Sequence, residues 1–372
     1  MNLIPLADVS HVLQAGIALP WGVRDSKGTL LLSKGYLLDS DNAVQTLLER
    51  GMFVDQEDMV LAPTQPDLVA DSQQSMSVRW SGLESRLRLL LRSPTELYFL
   101  QRVKAAISSL AALADENTDL LIYLILRHDH ARQLNYGVVH SLHAAALCSL
   151  LSRRLGWTDA RRESLIGAAL TMNIAMLELQ DQLAVRDYGP TSTERMRIND
   201  HPVLAAKLLR EAGLTDADWL DAVEQHHELP GGTGYPMKVS QPTEMSRMLR
   251  FVDSFTAKHS PRTGRTPLPA QKAARDLFLQ SNGDPLAALV IKEFGIYPPG
   301  VYVRLASGED AIVTRRGTNA NTPTVAAVTN KFGEALKRPV SLDTSVAAHA
   351  IVSTLPDNVM RMKFPVDTLY AC

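Results

Sequence analysis

His226-His227-Glu228-Leu229-Pro230-Gly231-Gly232-Thr233-Gly234-Tyr235-Pro236 is the stretch around which this chain is organised. Two adjacent imidazoles close a helix, and a loop with three glycines and two prolines follows. Glycine and proline stop helices in any protein, one by tolerating left-handed backbone and the other by lacking an amide donor. Paired histidines at the mouth of such a loop are less ordinary. Imidazole nitrogens are common ligands for divalent transition metals. Helical bundles hold ions by projecting such groups inward from several helices at once.

Three further groups belong to the same region, namely His140, His201 and Asp253. His140 shares a helix face with Ala144, Leu147 and Leu151, so it points into the interior. Taken singly, each histidine reads as a satisfied core residue, and the chain has ten of them. The metal reading comes from the gathering of five acid or imidazole groups at helix ends within one helical region.

Outward from the loop, residues 78–300 read as one helical domain. Leu83, Leu87, Leu90 and Leu91 form one apolar stripe, and Val103, Ile107, Leu110, Ala111 and Ala114 form another. Between Tyr136 and Gly156 the chain is apolar on most helical faces, the mark of a helix buried in a bundle. Residues 301–372 change character. Val301–Leu305 and Ala311–Thr314 flank Ser307-Gly308-Glu309-Asp310, which predicts a hairpin in a short β-containing tail. At the other end, residues 1–60 read as a small α/β module. Leu19–Arg24 and Thr29–Leu32 flank a turn at Asp25-Ser26-Lys27-Gly28. Ser40 or Asp41 then caps a helix carrying Ala43, Val44, Leu47 and Leu48, stopped by Gly51. Residues 61–77 are polar and proline-containing, the composition of a linker.

The 372 residues provide enough chain for two or three domains. A net charge of -2 gives no field that would draw a nucleic-acid polymer or an anionic membrane. Two cysteines, Cys148 and Cys372, form neither a disulfide framework nor a CxxC zinc clip. No segment approaches the roughly 18 apolar residues of a membrane span, and no basic segment precedes an apolar run at the start. These features predict a cytoplasmic protein.

The string from His226 to Pro236 resembles the HHE-x-x-D-G-x-G-Y-P signature of the HD-GYP family, with Gly231 in place of the aspartate. Other matching pieces are the run around His140, the pair His201-Pro202, Asp253 within Phe251–Ala257, the segment Ser260–Arg265, and the run from Phe294 to Leu305. Their order and spacing agree with the family over residues 78 to 316. The resemblance implies a mainly α protein, a helical bundle from bacterial signalling with a two- or three-metal centre that hydrolyses cyclic-di-GMP. It implies metal ligation by His140, His201, His226, His227 and Asp253, and a GYP motif at Gly234, Tyr235 and Pro236. Arg262 and Arg265 match arginines that contact the nucleotide, a role suited to guanidinium forks. Tyr136 stands where three-metal members carry a glutamate, which argues against a third ion.

The departure lies in Ala168-Ala169-Leu170-Thr171-Met172-Asn173-Ile174-Ala175-Met176, where the family reads approximately AALLHDIGK. Met172 and Asn173 replace the His-Asp pair, and Met176 replaces the lysine. In the family the aspartate bridges both metals. An amide is a weak, neutral donor, and a thioether prefers soft ions. His128-Asp129 spells the pair but precedes His140 on another predicted helix, and it is read as a coincidence. By this resemblance one side of the site keeps His140 and Asp253, and the other keeps His201, His226 and His227. The expectation is at most one divalent ion, zinc, iron or manganese. Cyclic-di-GMP is the expected ligand, with other signalling proteins as further partners. Weak or no hydrolysis would make the chain a nucleotide sensor or interaction module. Two alternatives stay open: a single-metal phosphodiesterase, since three histidines plus water is a competent zinc arrangement, and a scaffold that binds neither metal nor nucleotide.

Overall fold

Apolar stripes at helical spacing account for the largest part of the molecule. In the computed structural model, Met76, Trp80, Leu83, Leu87 and Leu90 line the buried face of α1 (Met76–Leu90), and Val103, Ile107, Leu110 and Ala114 that of α2 (Phe99–Glu116). The structure describes residues 3–7, 13, 19, 21–32, 45–48, 50, 52–55, 74–127, 135–260, 262–263, 268–356 and 364–372. They fall into two compact units, Met1–Gln74 and Ser75–Cys372.

In the first unit β1 (Leu3–Pro5), β2 (Val23–Arg24), β3 (Leu30–Leu32) and β4 (Phe53–Asp55) form an antiparallel sheet in the order β1-β4-β2-β3. The Asp25 carboxylate accepts from the Lys27 and Thr29 amides, each at 2.9 Å, and this closes the turn between β2 and β3. Leu47 and Leu48 lie in a helical turn packed on the small core around Val23 and Val54. The helix start read at Ser40 or Asp41 and its stop at Gly51 lie outside the described residues, as do linker residues 61–73. Met76 and Ser77 were read as linker but begin α1, because the burial of Met76 and Trp80 extends the apolar stripe one turn upstream.

The second unit continues with α3 (Thr118–Leu126), α4 (Tyr136–Arg154), α5 (Asp159–Thr171), α6 (Leu177–Ala184), α7 (Ser192–Glu211), α8 (Ala217–Gln225), α9 (Glu244–His259), α10 (Ala270–Gln280) and α11 (Pro285–Phe294). Helix α4 is buried at every residue from Tyr136 to Ser152 and packs against α1, α2, α5, α6, α9 and α11. Ala144, Ala145 and Ala146 let these neighbours approach closely. Side-chain caps start the helices that carry the site: Thr158 for α5, Thr191 with a capping box for α7, Asp216 for α8 and Thr243 for α9.

Then β5 (Tyr302–Leu305), β6 (Asp310–Arg315), β7 (Thr324–Thr329), β8 (Ala335–Asp343) and β9 (Ile351–Leu355) form an antiparallel sheet in the order β8-β7-β6-β5-β9, followed by α12 (Val366–Tyr370). The segment read as a tail shares one compact unit with the helices. Tyr302, Ile312, Ala326 and Val328 pack with Tyr123 of α3 and Leu369 of α12. Arg316 ties the sheet to Asp119 of α3, at 2.5 Å, and to buried Glu293 of α11, at 3.1 Å. Asp310, read as a turn residue, opens β6 and pairs with Arg304. Among the described residues, no helix is long and apolar enough to cross a membrane.

Gly167 of α5 sets how closely α8 can pack. A Cβ there would run into the indole ring of Trp219, which is anchored by its Nε1–H bond to Thr171 Oγ1 at 2.9 Å. Gly167→Ala is therefore expected to cost about 1–3 kcal/mol by overpacking. A urea midpoint unchanged from wild type would contradict this.

Candidate metal centre

Pro202 lies inside α7, next to His201. Lacking an amide hydrogen, it leaves the Ile198 carbonyl, four residues earlier, without its helical donor. His201 Nδ1–H donates to that carbonyl at 2.6 Å. His226, at the C-cap of α8, does the same with its Nδ1–H to the Val223 carbonyl at 2.7 Å, one of the last-turn carbonyls that a helix end leaves unpaired. A carbonyl only accepts, so both rings carry their hydrogen on Nδ1 and present Nε2 as a lone pair.

Those two Nε2 atoms stand 3.2 Å apart, and a nitrogen of His227 completes a set whose ligand atoms lie within 4.8 Å of one another. Burial, and next the charge of His226, push the His201 imidazole down to about 3. Burial likewise lowers His226, and lowers His227 well below the ordinary histidine value. Three neutral rings therefore turn lone pairs toward one point, an arrangement that repels itself unless a cation or proton is shared. Two nitrogens at ~2.0–2.1 Å from one tetrahedral ion stand roughly 3.3 Å apart, close to the separation found. The donor set fits one divalent ion of the zinc or iron kind.

The loop after α8 is built to hold this end of the site. Glu228 is fully buried, and its carboxylate accepts from the Met237 amide at 2.7 Å and the Val239 amide at 3.1 Å. A Cβ at Gly234 would come within 2.6 Å of the His227 carbonyl, so only glycine permits this return of the chain. Tyr235 then stacks on His227, with ring centroids 4.6 Å apart. Gly231 is exposed at a φ of 87°, and its departure from the signature falls on the outside of the loop.

His140 and Asp253 form a different arrangement. His140 Nε2–H donates to Asp253 Oδ1 at 2.8 Å, joining α4 to α9. Burial alone would raise the Asp253 carboxyl, but the bond from His140 and the neighbouring imidazoles hold it well below the usual carboxylate range. The structure thus gathers His201, His226 and His227 and places His140 and Asp253 beside them as a hydrogen-bonded pair. Met172 and Asn173 follow α5 in a tight turn, both buried. Among the described residues neither amide atom of Asn173 has a hydrogen-bond partner, and a buried polar group left unmet costs about 1–3 kcal/mol.

Arg262 donates to the Tyr136 hydroxyl and lies over that ring, 4.5 Å from its centroid. Tyr136 in turn stacks on His140 at 5.8 Å. The tyrosine at the glutamate position therefore serves as a seat for an arginine. Arg265 and His128-Asp129 lie outside the described residues. Sequence reasoning missed the anchoring roles of Glu228 and Tyr136. The glutamate was visible inside the quoted string, whereas the Tyr136–Arg262 contact spans 126 positions and had no local signal.

Residues 108–285 match the family model for the HD domain. The chain is 26% identical over 319 residues to cyclic di-GMP phosphodiesterase PA4108 of Pseudomonas aeruginosa, covering 78% of this chain and 77% of that protein. It is 27% identical over 181 residues to 3'3'-cGAMP-specific phosphodiesterase 3 of Vibrio cholerae, covering 47% of this chain and 39% of that protein. Among solved structures it is similar to Bd1817, a HDG"Y"P protein from Bdellovibrio bacteriovorus, with a TM-score of 0.50, 14% identity, and coverage of 77% of this chain and 96% of that one. The helical domain belongs to the HD family. The two curated relatives it matches are both named as cyclic-dinucleotide phosphodiesterases.

Proposed function

We propose that this chain is a cyclic-di-GMP-binding signalling protein that holds at most one divalent ion, on His201, His226 and His227, and hydrolyses the nucleotide weakly or not at all. The contrast between the two halves of the site supports this reading. Three imidazoles converge, two of them with tautomers fixed by backbone carbonyls, while the positions of the His-Asp pair hold a buried thioether and, among the described residues, an amide without partners. An ion on the three histidines would supply a positive charge that attracts and polarises a phosphate oxygen. The rest falls to the chain itself. Tyr136 holds Arg262 beside the site for a charge-assisted contact. Met172, Asn173 and Met176 contribute no charge, so the phosphodiester under attack would lack one cation of a two-metal transition-state clamp.

Calorimetry on the full chain is expected to show cyclic-di-GMP binding. Arg262→Ala should weaken it by about 1.5–3 kcal/mol, tenfold or more. Absence of binding at millimolar nucleotide would favour the scaffold reading. The single-metal phosphodiesterase reading rests on the competence of a three-histidine site. Rapid turnover by wild-type protein, abolished by a chelator, would establish it.

A further inference from the structure

Arg250 lies on α9 three residues before Asp253, on the same face of the helix and one turn away. It is half-buried, its Nε is enclosed without a hydrogen-bond partner, and its Cζ rests 4.3 Å from the centroid of the buried Phe251 ring. Among the described residues no carboxylate comes within ion-pair distance of it. The acidic group whose charge acts on it, Asp284, is already taken by Arg247, whose Nε donates at 3.2 Å, and by the amide of Leu286 at 3.0 Å. On the other side, the Arg250 charge reaches His227 and works against protonation there. Burial pulls the Arg250 guanidinium below its ordinary value, and the partial attraction of Asp284 does not restore it.

Enclosing part of an arginine without a counter-charge carries a desolvation cost that an anionic partner would offset. Arginine is rarely enclosed unless paired, and Arg316, half-buried like Arg250, is held by Asp119 and Glu293. The missing partner of Arg250 is an anion, and the face it occupies is that of the histidine cluster. We propose that Arg250 is a phosphate-binding residue of this site, facing the His227 side as Arg262 faces the His140 side. The proposal rests on the reading that a cyclic dinucleotide occupies this face. It extends that reading by assigning each of the two phosphodiesters an arginine: Arg262 on one flank, Arg250 on the other.

The test compares full-length wild type with Arg250→Gln, Arg250→Lys and, as an exposed control of equal charge change, Lys207→Gln. Inorganic phosphate and cyclic-di-GMP are titrated separately by calorimetry, and the ligand-free melting temperature is measured for each. Arg250→Gln should weaken both ligands tenfold or more while melting at or above wild type, since it removes an unpaired charge. Arg250→Lys should retain most of the phosphate binding, and Lys207→Gln should match wild type. Phosphate binding that depends on Arg250, with no cyclic-di-GMP binding, would remove the nucleotide reading and keep the anion site. Wild type that fails to bind phosphate, Arg250→Gln that binds it normally, or a lowered melting temperature in that variant would overturn the proposal, the last by making Arg250 a structural residue.

Discussion

Met172→His with Asn173→Asp and Met176→Lys is expected to raise bound metal from at most one ion per chain toward two, and to raise cyclic-di-GMP hydrolysis by at least 10- to 100-fold. That range is the ~10–100-fold that loss of one outer partner of a metal ligand typically costs, and it is a floor because here two ligands and a cation return together. Asn173→Asp keeps the shape of the side chain and places a carboxylate where an amide now lies without partners. His140 and Asp253 remain as further candidate ligands, joined by a hydrogen bond that binding of an ion would have to replace. Full recovery is not expected. Met172 is fully buried within the main apolar core, so its pocket has packed around a flexible thioether and an imidazole must displace neighbours. The new carboxylate is costly until its metal arrives, and the variant should be produced with metal present. A folded triple variant that gains no second ion and cleaves nothing would falsify simple loss of the pair. It would mean that the pocket has been reshaped around Met172 and Asn173.

Loss of His226 should have the second largest effect. Its Nε2 is 3.2 Å from that of His201, and its tautomer is set by the Val223 carbonyl. His226→Ala leaves two imidazoles, which should lower metal affinity by about 100-fold or more, beyond the effect of an outer-sphere change. Elemental analysis after gel filtration is expected to find wild type with up to one zinc or iron ion and the variant with essentially none. Acid should act in the same direction. Protons and metal compete for the same lone pairs. The folded-state value of His201, about 3, lies below its ordinary value of 6.5, so the unfolded chain binds more protons between those limits. Stability therefore rises with pH across that window and is lost as pH falls through it. Metal content unchanged in His226→Ala would remove the three-histidine centre.

The loop signature was legible because its chemistry is contiguous. His227, Glu228, Gly234 and Tyr235 constrain one another through a carbonyl, a carboxylate and a stacked ring, all within one return of the chain. The pair His201-Pro202 was legible as a motif, but its physical meaning was not. That the proline frees the carbonyl which fixes the histidine tautomer depends on its being inside a helix. The linker reading ran two residues too far because polar composition continues up to Ser77, whereas burial of Met76 begins the helix.

By itself the sequence determined the helical bundle, its buried central helix and the terminal sheets' hairpins, because period and motif are properties of short segments. Only the tertiary structure decided that His201, His226 and His227 share one point while His140 pairs with Asp253. It alone seated Arg262 on Tyr136, left Arg250 with no carboxylate at ion-pair distance among the described residues, and joined the C-terminal sheet to the helices through Arg316. Distances between groups on separate helices follow from how those helices pack. Whether a buried donor or charge is satisfied depends on neighbours that no local pattern specifies.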